Sequence, residues 1–175
     1  PRAVSNVTSA AICWQEVDTQ NSEIYLSAQF YSEGRWQNVP RFAGPFPYSG
    51  EIPDIFSAAM NNAGTVALGV LSDTNTISMY TTTDYGQSFS VKDIGKAHVP
   101  LVAPRVYDLN SGGFIVFTSL GKDESFSMLY ARSRNGLEWN NFSEFAPASG
   151  LLNPFLPVLL STDKGEVVVF QAQYR

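Results

Sequence analysis

A repeat of about fifty residues governs what this chain can fold into, because copies of one small unit at a fixed spacing must stack on their neighbours to bury a core. Three kinds of marker keep the period. Turn signals at Asn62-Ala63-Gly64, Ser111-Gly112-Gly113 and Asp163-Lys164-Gly165 each precede an apolar β-type run: Thr65–Val70, Phe114–Phe117 and Glu166–Phe170. Prolines open the units at Pro1, Pro53, Pro104 and Pro154, spaced by 52, 51 and 50 residues. Pro1-Arg2 and Pro104-Arg105 share a dipeptide, and the run ending in Cys13-Trp14 matches the one ending in Val116-Phe117. The units read as 1–50, 51–99, 100–150 and a truncated 151–175.

Within unit two the sharpest local signal is Thr82-Thr83-Asp84-Tyr85-Gly86-Gln87-Ser88-Phe89, entered from the alternating run Ile77–Tyr80. It reads as a hairpin tip. Asp84 can turn its carboxylate onto nearby backbone N–H groups, Gly86 supplies a positive φ, Thr82 offers a hydroxyl, and Phe89 plugs the apolar layer beneath. Fifty residues on, Gly136 and Trp139 stand where Gly86 and Phe89 stand. There Arg134 replaces the aspartate and Arg132 the hydroxyl residue, so Asn135, which tolerates the left-handed region, is expected to hold the tip. Unit one has Ser32-Glu33-Gly34-Arg35-Trp36, one residue shorter between glycine and aromatic.

Composition agrees with many short strands. Of 175 residues, 13 are glycine and ten are proline, and 13% are aromatic, so Gly or Pro interrupts nearly every window long enough for a helix. With 44% apolar residues a packed core is expected, and no apolar run is long enough to span a membrane. The net charge is −5 and the 11 basic residues are scattered, which excludes a clustered nucleic-acid face. The one cysteine, Cys13, lies in an apolar strand and reads as a core thiol. His98 is the single histidine, no Cys/His set fits zinc, and no glycine-rich phosphate loop follows a strand, so no cofactor is expected. Asn6-Val7-Thr8 and Asn141-Phe142-Ser143 are glycosylation sequons, meaningful only in a secreted eukaryotic protein. The chain opens at a unit boundary without a basic or apolar leader, which reads as a processed or trimmed end. A secreted or cell-surface setting is the favoured location.

The tip motif and its fifty-residue frame resemble the Asp-box repeat of the sialidase-like (BNR) β-propeller family, over essentially the whole chain. The resemblance implies an all-β fold of about three and a half four-stranded antiparallel blades, and unit-one strands at Val4–Val7, Ala10–Glu16, Glu23–Tyr31 and Trp36–Phe42. Ala43–Gly50 is then the crossing between blades, kept out of the ladder by its prolines. The remaining blades would come from the rest of the polypeptide or from a second copy, a homodimer closing a seven-bladed ring. In this family the box residues, here Thr82, Asp84, Gly86, Phe89, Gly136 and Trp139, are structural. Catalytic members hold a substrate carboxylate with three arginines and use a Tyr–Glu nucleophile and an Asp acid/base. No such set is complete here, and neither Pro1-Arg2 nor Pro104-Arg105 carries the flanking residues of the family's arginine motif. Arg105, with Tyr107 on the same face by alternation, and Glu16 are the candidate ligand contacts, set against a rim or inter-blade salt bridge for Arg105. Arg41, Arg132 and Arg134 read as solvated strand ends, and Trp14, Trp36 and Trp139 as core residues or hairpin plugs. The functions implied are carbohydrate binding or glycoside hydrolysis, or else a non-catalytic scaffold that binds a protein partner.

Overall fold

The computed structural model describes residues 1–48, 54–98, 100–122, 125–145, 154–162 and 164–172, and all its regular elements are strands. Strands β1 (Arg2–Ser5), β2 (Ala10–Asp18), β3 (Glu23–Ser32) and β4 (Arg35–Pro47) form one antiparallel sheet in chain order. β5 (Phe56–Met60), β6 (Val66–Asp73), β7 (Thr76–Thr82) and β8 (Ser90–Lys96) form the second. β9 (Arg105–Asp108), β10 (Phe114–Lys122), β11 (Ser125–Ser133) and the two-residue β12 (Ser143–Glu144) form the third. β13 (Pro154–Thr162) and β14 (Gly165–Ala172) pair with each other alone. The chain is therefore three blades and a half of a β-propeller.

The core lies between the sheets. Ala11, Cys13, Leu26 and Phe30 of the first sheet pack on Phe56, Val66, Leu68 and Val70 of the second. Ala67, Ile77 and Met79 on the far face of the second meet Phe114, Val116 and Ala131 of the third. Ile115, Phe117 and Met128 then meet Leu159 and Val168 of the half sheet. A middle strand such as β6 is consequently buried on both faces, which is why its sequence is a continuous apolar run. Burying each large side chain contributes roughly 1.5–3 kcal/mol. Cys13 is buried as expected, and burial pushes its thiol up to about 12.

A second device ties neighbouring blades. Asn6, Asn61 and Asn110 sit in the turn between the first two strands of their sheets, and each reaches forward with its side-chain amide. Asn6 donates to Asn61 O (3.2 Å), Asn61 to Gly112 O (2.7 Å) and Asn110 to Thr162 O (2.9 Å). The Asn6 carboxamide oxygen also accepts the N–H groups of Thr8 and Ser9, closing an Asx-type turn. That turn ends β1 at Ser5, where the sequence reading carried the strand to Val7. It also commits the amide nitrogen that the first sequon would glycosylate.

The tip motif forms the expected network. The Thr82 hydroxyl donates to Asp84 Oδ1 (2.8 Å) and accepts from Gly86 N (2.9 Å), while Asp84 accepts from both the amide and the hydroxyl of Ser88 (3.0 and 2.6 Å). Phe89 does more than plug its own hairpin. It stacks on Phe42 of the preceding blade, with centroids 4.4 Å apart and rings 8° from parallel. In unit three the network is rebuilt one residue shorter. Ser133 accepts from Gly136 N (2.8 Å) and Asn135 Oδ1 accepts from Leu137 N and Glu138 N (both 2.9 Å). The hydroxyl position thus belongs to Ser133 and not to Arg132, and Asn135 acts through its side chain with an ordinary φ. Trp139 is the expected plug, buried and donating to Gly136 O.

Two further expectations differ from the structure. Residues 43–47 belong to β4 and pair with Glu23, Ile24 and Leu26, so they are not a free crossing. β4 is the outer edge of its sheet, where prolines cost no ladder bond on the solvent side. Trp36 is 49% exposed and packs on Tyr31 (5.3 Å), because the two-residue turn at Glu33-Gly34 leaves no tip for it to plug. Residues 49–53, which include Glu51 and Pro53, lie outside the described residues.

Candidate functional site

The first strand of each sheet lines the propeller channel, and all run the same way. Their entry ends share one face of the molecule with the β2–β3 and β6–β7 turns, opposite the Asn turns and the box tips. At this entry face Arg2 and Arg105, the two Pro-Arg positions, converge on Asp54. Arg2 Nη2 and Arg105 Nη1 (3.2 Å) both donate to Asp54 Oδ2. Arg105 therefore makes an ion pair that links the third unit to the second, and Arg2 links the first to it. The groups are partly exposed, so each pair contributes no more than about 1 kcal/mol. Within this triad two guanidinium groups share one carboxylate.

Tyr107 shares the alternation of Arg105 but is drawn to the other side. Its hydroxyl donates to Pro157 O (2.5 Å) in β13, its ring meets Phe117 edge-on, and burial raises its pKa. Arg105 and Tyr107 line one shallow cavity of about 360 Å³ with Arg2 and Ser57, while Glu16 is not among its walls.

Glu16 belongs to a separate cluster on the face of the first sheet turned away from the second. Alternation along β2 and β3 places Trp14, Glu16, Tyr25 and Ser27 there, with Trp14 opposite Ser27 and Glu16 opposite Tyr25. The Ser27 hydroxyl donates to Glu16 Oε1, and Arg41 Nε donates to Glu16 Oε2 (3.2 Å). The bond from Ser27, reinforced by Arg41 and by Trp14, holds the Glu16 carboxyl below the usual carboxylate range. Arg41 lies over the Tyr25 ring at 4.4 Å, and the Tyr25 hydroxyl donates to Glu23 (2.7 Å).

The backbone of Arg41 is in the left-handed region, φ 44, beside a register irregularity of β4, which costs a non-glycine residue about 1–2 kcal/mol. Its N–H is caught by Ser27 Oγ (2.8 Å). Backbone, ion pair and ring together fix one guanidinium on this face of the first sheet. Arg41 is thus not a free strand end. Sequence reasoning missed it because its partner Glu16 is 25 residues away and the link depends on the irregular β4 register. Asp84, by contrast, stays within its own hairpin. Among the described residues no group of His, Cys, Asp and Glu is placed to hold a metal ion.

No family model matches this chain, and no curated protein matches it. Solved structures do. A mutant of the Aleuria aurantia lectin in complex with Fucα1-6GlcNAc superposes with a TM-score of 0.61 at 16% identity, over 94% of this chain and 50% of that one. A Dyadobacter fermentans protein of unknown function gives 0.59 at 13% identity, over 98% and 61%. A fucose lectin from Kordia zhangzhouensis in complex with methyl-fucoside gives 0.50 at 8% identity, over 83% and 99%. This chain spans about half the length of the Aleuria chain it matches. Identities this low establish a shared fold and no more.

Proposed function

We propose that this chain is the carbohydrate-binding part of a propeller, and that Trp14, Glu16, Tyr25 and Arg41 form the contact surface. The observation that carries the reading is the fixed Arg41 guanidinium, held in a strained backbone conformation by Ser27, Glu16 and Tyr25. Local strain maintained by several partners marks positions kept for a task other than packing. A guanidinium edge that donates in parallel and a carboxylate that accepts suit the vicinal hydroxyls of a sugar, and an adjacent aromatic face suits its C–H surface. Because Glu16 neutralises Arg41, the surface suits a neutral sugar. That structures sharing this fold hold fucosides supports the reading.

Hydrolysis of the sialidase type draws less support. Tyr25 donates to Glu23, a bond that raises the tyrosine pKa and so works against a phenolate nucleophile at this pair. The test is calorimetric titration with a panel of neutral monosaccharides that includes methyl-fucoside. Binding that falls about 10-fold or more in Arg41→Ala and in Glu16→Gln is expected, the loss of a charge-assisted hydrogen bond. If no neutral sugar binds, or if both variants bind as the parent does, the non-catalytic scaffold reading takes its place.

A further inference from the structure

We propose that Asn141 is an acceptor for an N-linked glycan and that Asn6, the asparagine of the other sequon, is not. Both triplets satisfy the sequence rule, since neither Val7 nor Phe142 is proline. The fold separates them. The Asn6 amide nitrogen already faces two main-chain oxygens of the second blade, Asn61 O at 3.2 Å and Asn62 O at 3.3 Å. Its carboxamide oxygen is taken by the N–H groups of Thr8 and Ser9. A sugar on that nitrogen would have to enter the seam between the first two blades. The place also belongs to the series Asn6, Asn61 and Asn110, whose amides tie each blade to the next. Asn6 is built into the fold.

Asn141 is placed in the opposite way. Trp139 is buried, and Phe142 packs on the second blade so closely that a Cβ added at Gly95 would lie 2.4 Å from its ring. Between and beside these anchors Asn141 and Ser143 are exposed, and the Asn141 side chain makes no hydrogen bond among the described residues. It stands on a groove of about 300 Å³ whose other walls are Thr76, Asp93, Ile94, Gly95 and Lys96. Both sides of that groove belong to the second and third blades, and a first sugar has polar groups of the second to lie against. The rim position gives a glycan a task. β4 and β8, the outer strands of the first two sheets, carry Arg35, Pro40, Arg41, Lys92 and Lys96, residue types that keep a ladder edge from pairing with another chain. The outer strand of the third sheet, β12, is Ser143–Glu144 and has no lysine, arginine or proline. A bulky hydrophilic glycan two residues before it serves the same end.

In the transfer the Asn141 amide nitrogen bonds to the anomeric carbon of a lipid diphosphate-linked oligosaccharide. The bond from that carbon to the diphosphate oxygen breaks, and the lipid diphosphate and the amide proton leave. The test makes the 175-residue chain behind a cleavable leader in a eukaryotic secretory cell, which supplies that donor. Peptide mass spectrometry of the secreted chain, before and after an amidase that converts glycosylated asparagine into aspartate, should find a glycan at Asn141 and none at Asn6. Ser143→Ala should abolish the glycan. On unglycosylated protein, Asn6→Gln should lower the thermal midpoint by about 2–4 °C, the scale of one lost hydrogen bond, and Asn141→Gln should leave it unchanged. An unmodified Asn141, a glycan at Asn6 in the folded chain, or equal midpoints of the two glutamine variants each overturns the proposal. None of these outcomes bears on the Glu16–Arg41 surface, which shares no residue with either sequon.

Discussion

Asp84 spends its carboxylate on the tip of its own hairpin, and the two bonds from Ser88 define what it contributes. The Ser88 hydroxyl first, then the Ser88 amide and Thr82, hold its carboxyl below the usual carboxylate range. A carboxyl whose folded pKa lies below its unfolded value stabilises the fold at neutral pH. That contribution is lost as pH falls through the ordinary range to the folded value. Asp84→Ala is therefore expected to cost about 1–2 kcal/mol near pH 7 in urea unfolding, the scale of a lost side-chain cap. The same comparison near pH 3 should show a smaller difference, and sugar affinity should not change at either pH. This residue was legible in the sequence because all its partners lie within six positions, Thr82 to Ser88. Glu16 was legible only as an unassigned carboxylate, since what fixes it comes from two other strands. Asn135 shows the limit of aligning motifs by fixed spacing. A one-residue deletion moved both network positions, and counting back from Gly136 placed arginines where Ser133 and Asn135 do the bonding.

Hairpin tips differ in what they touch, and the glycines read that difference out. Gly86 has φ 85 and Phe30 of the preceding blade lies where its Cβ would go. Gly34, with φ 80 in the two-residue turn of unit one, has no atom within 4 Å of that point. Gly34→Ala should cost only the left-handed penalty, about 1–2 kcal/mol. Gly86→Ala adds overpacking between blades and should cost roughly 2–5 kcal/mol. Urea unfolding of both variants checks this, and equal losses would show that the tip does not bear on the neighbouring blade. The strands themselves were readable from alternation and turn residues. What was not readable was where edges stop. β4 runs on through three prolines because its outer side needs no ladder partner, while β1 stops early because Asn6 folds back on the chain.

The sheet arc of this 175-residue stretch has two unlike end faces, and they decide how the stretch behaves when it is studied by itself. Leu159 and Val168 pack on the third sheet, so alternation turns Val158, Leu160, Val167 and Val169 away from it, each about half exposed. At the matching places in the earlier sheets, Ala11 and Ala67 are fully covered by the following blade. The opposite end of the arc presents Trp14, Tyr31 and Trp36 among polar groups. Head-to-tail contact between copies is thus chemically possible, but its symmetry is restrictive. A two-fold axis through a ring requires an even number of blade positions, so two identical copies cannot share out seven. The expected behaviour is a weak, concentration-dependent association through the apolar quartet, not a closed seven-bladed dimer. Light scattering on a sizing column should show a mass that rises with loading above the 19.2 kDa of one chain. Leu160→Lys/Val169→Lys should hold that mass at one chain with the thermal midpoint unchanged, since both side chains already face solvent. A parent chain that stays at 19.2 kDa at every loading would mean that this face draws no second copy. A discrete dimer that survives the lysine pair would mean that association runs through the aromatic end instead. In that case the Trp14–Glu16–Arg41 surface would lie inside the contact, and neutral-sugar binding should weaken as protein concentration rises.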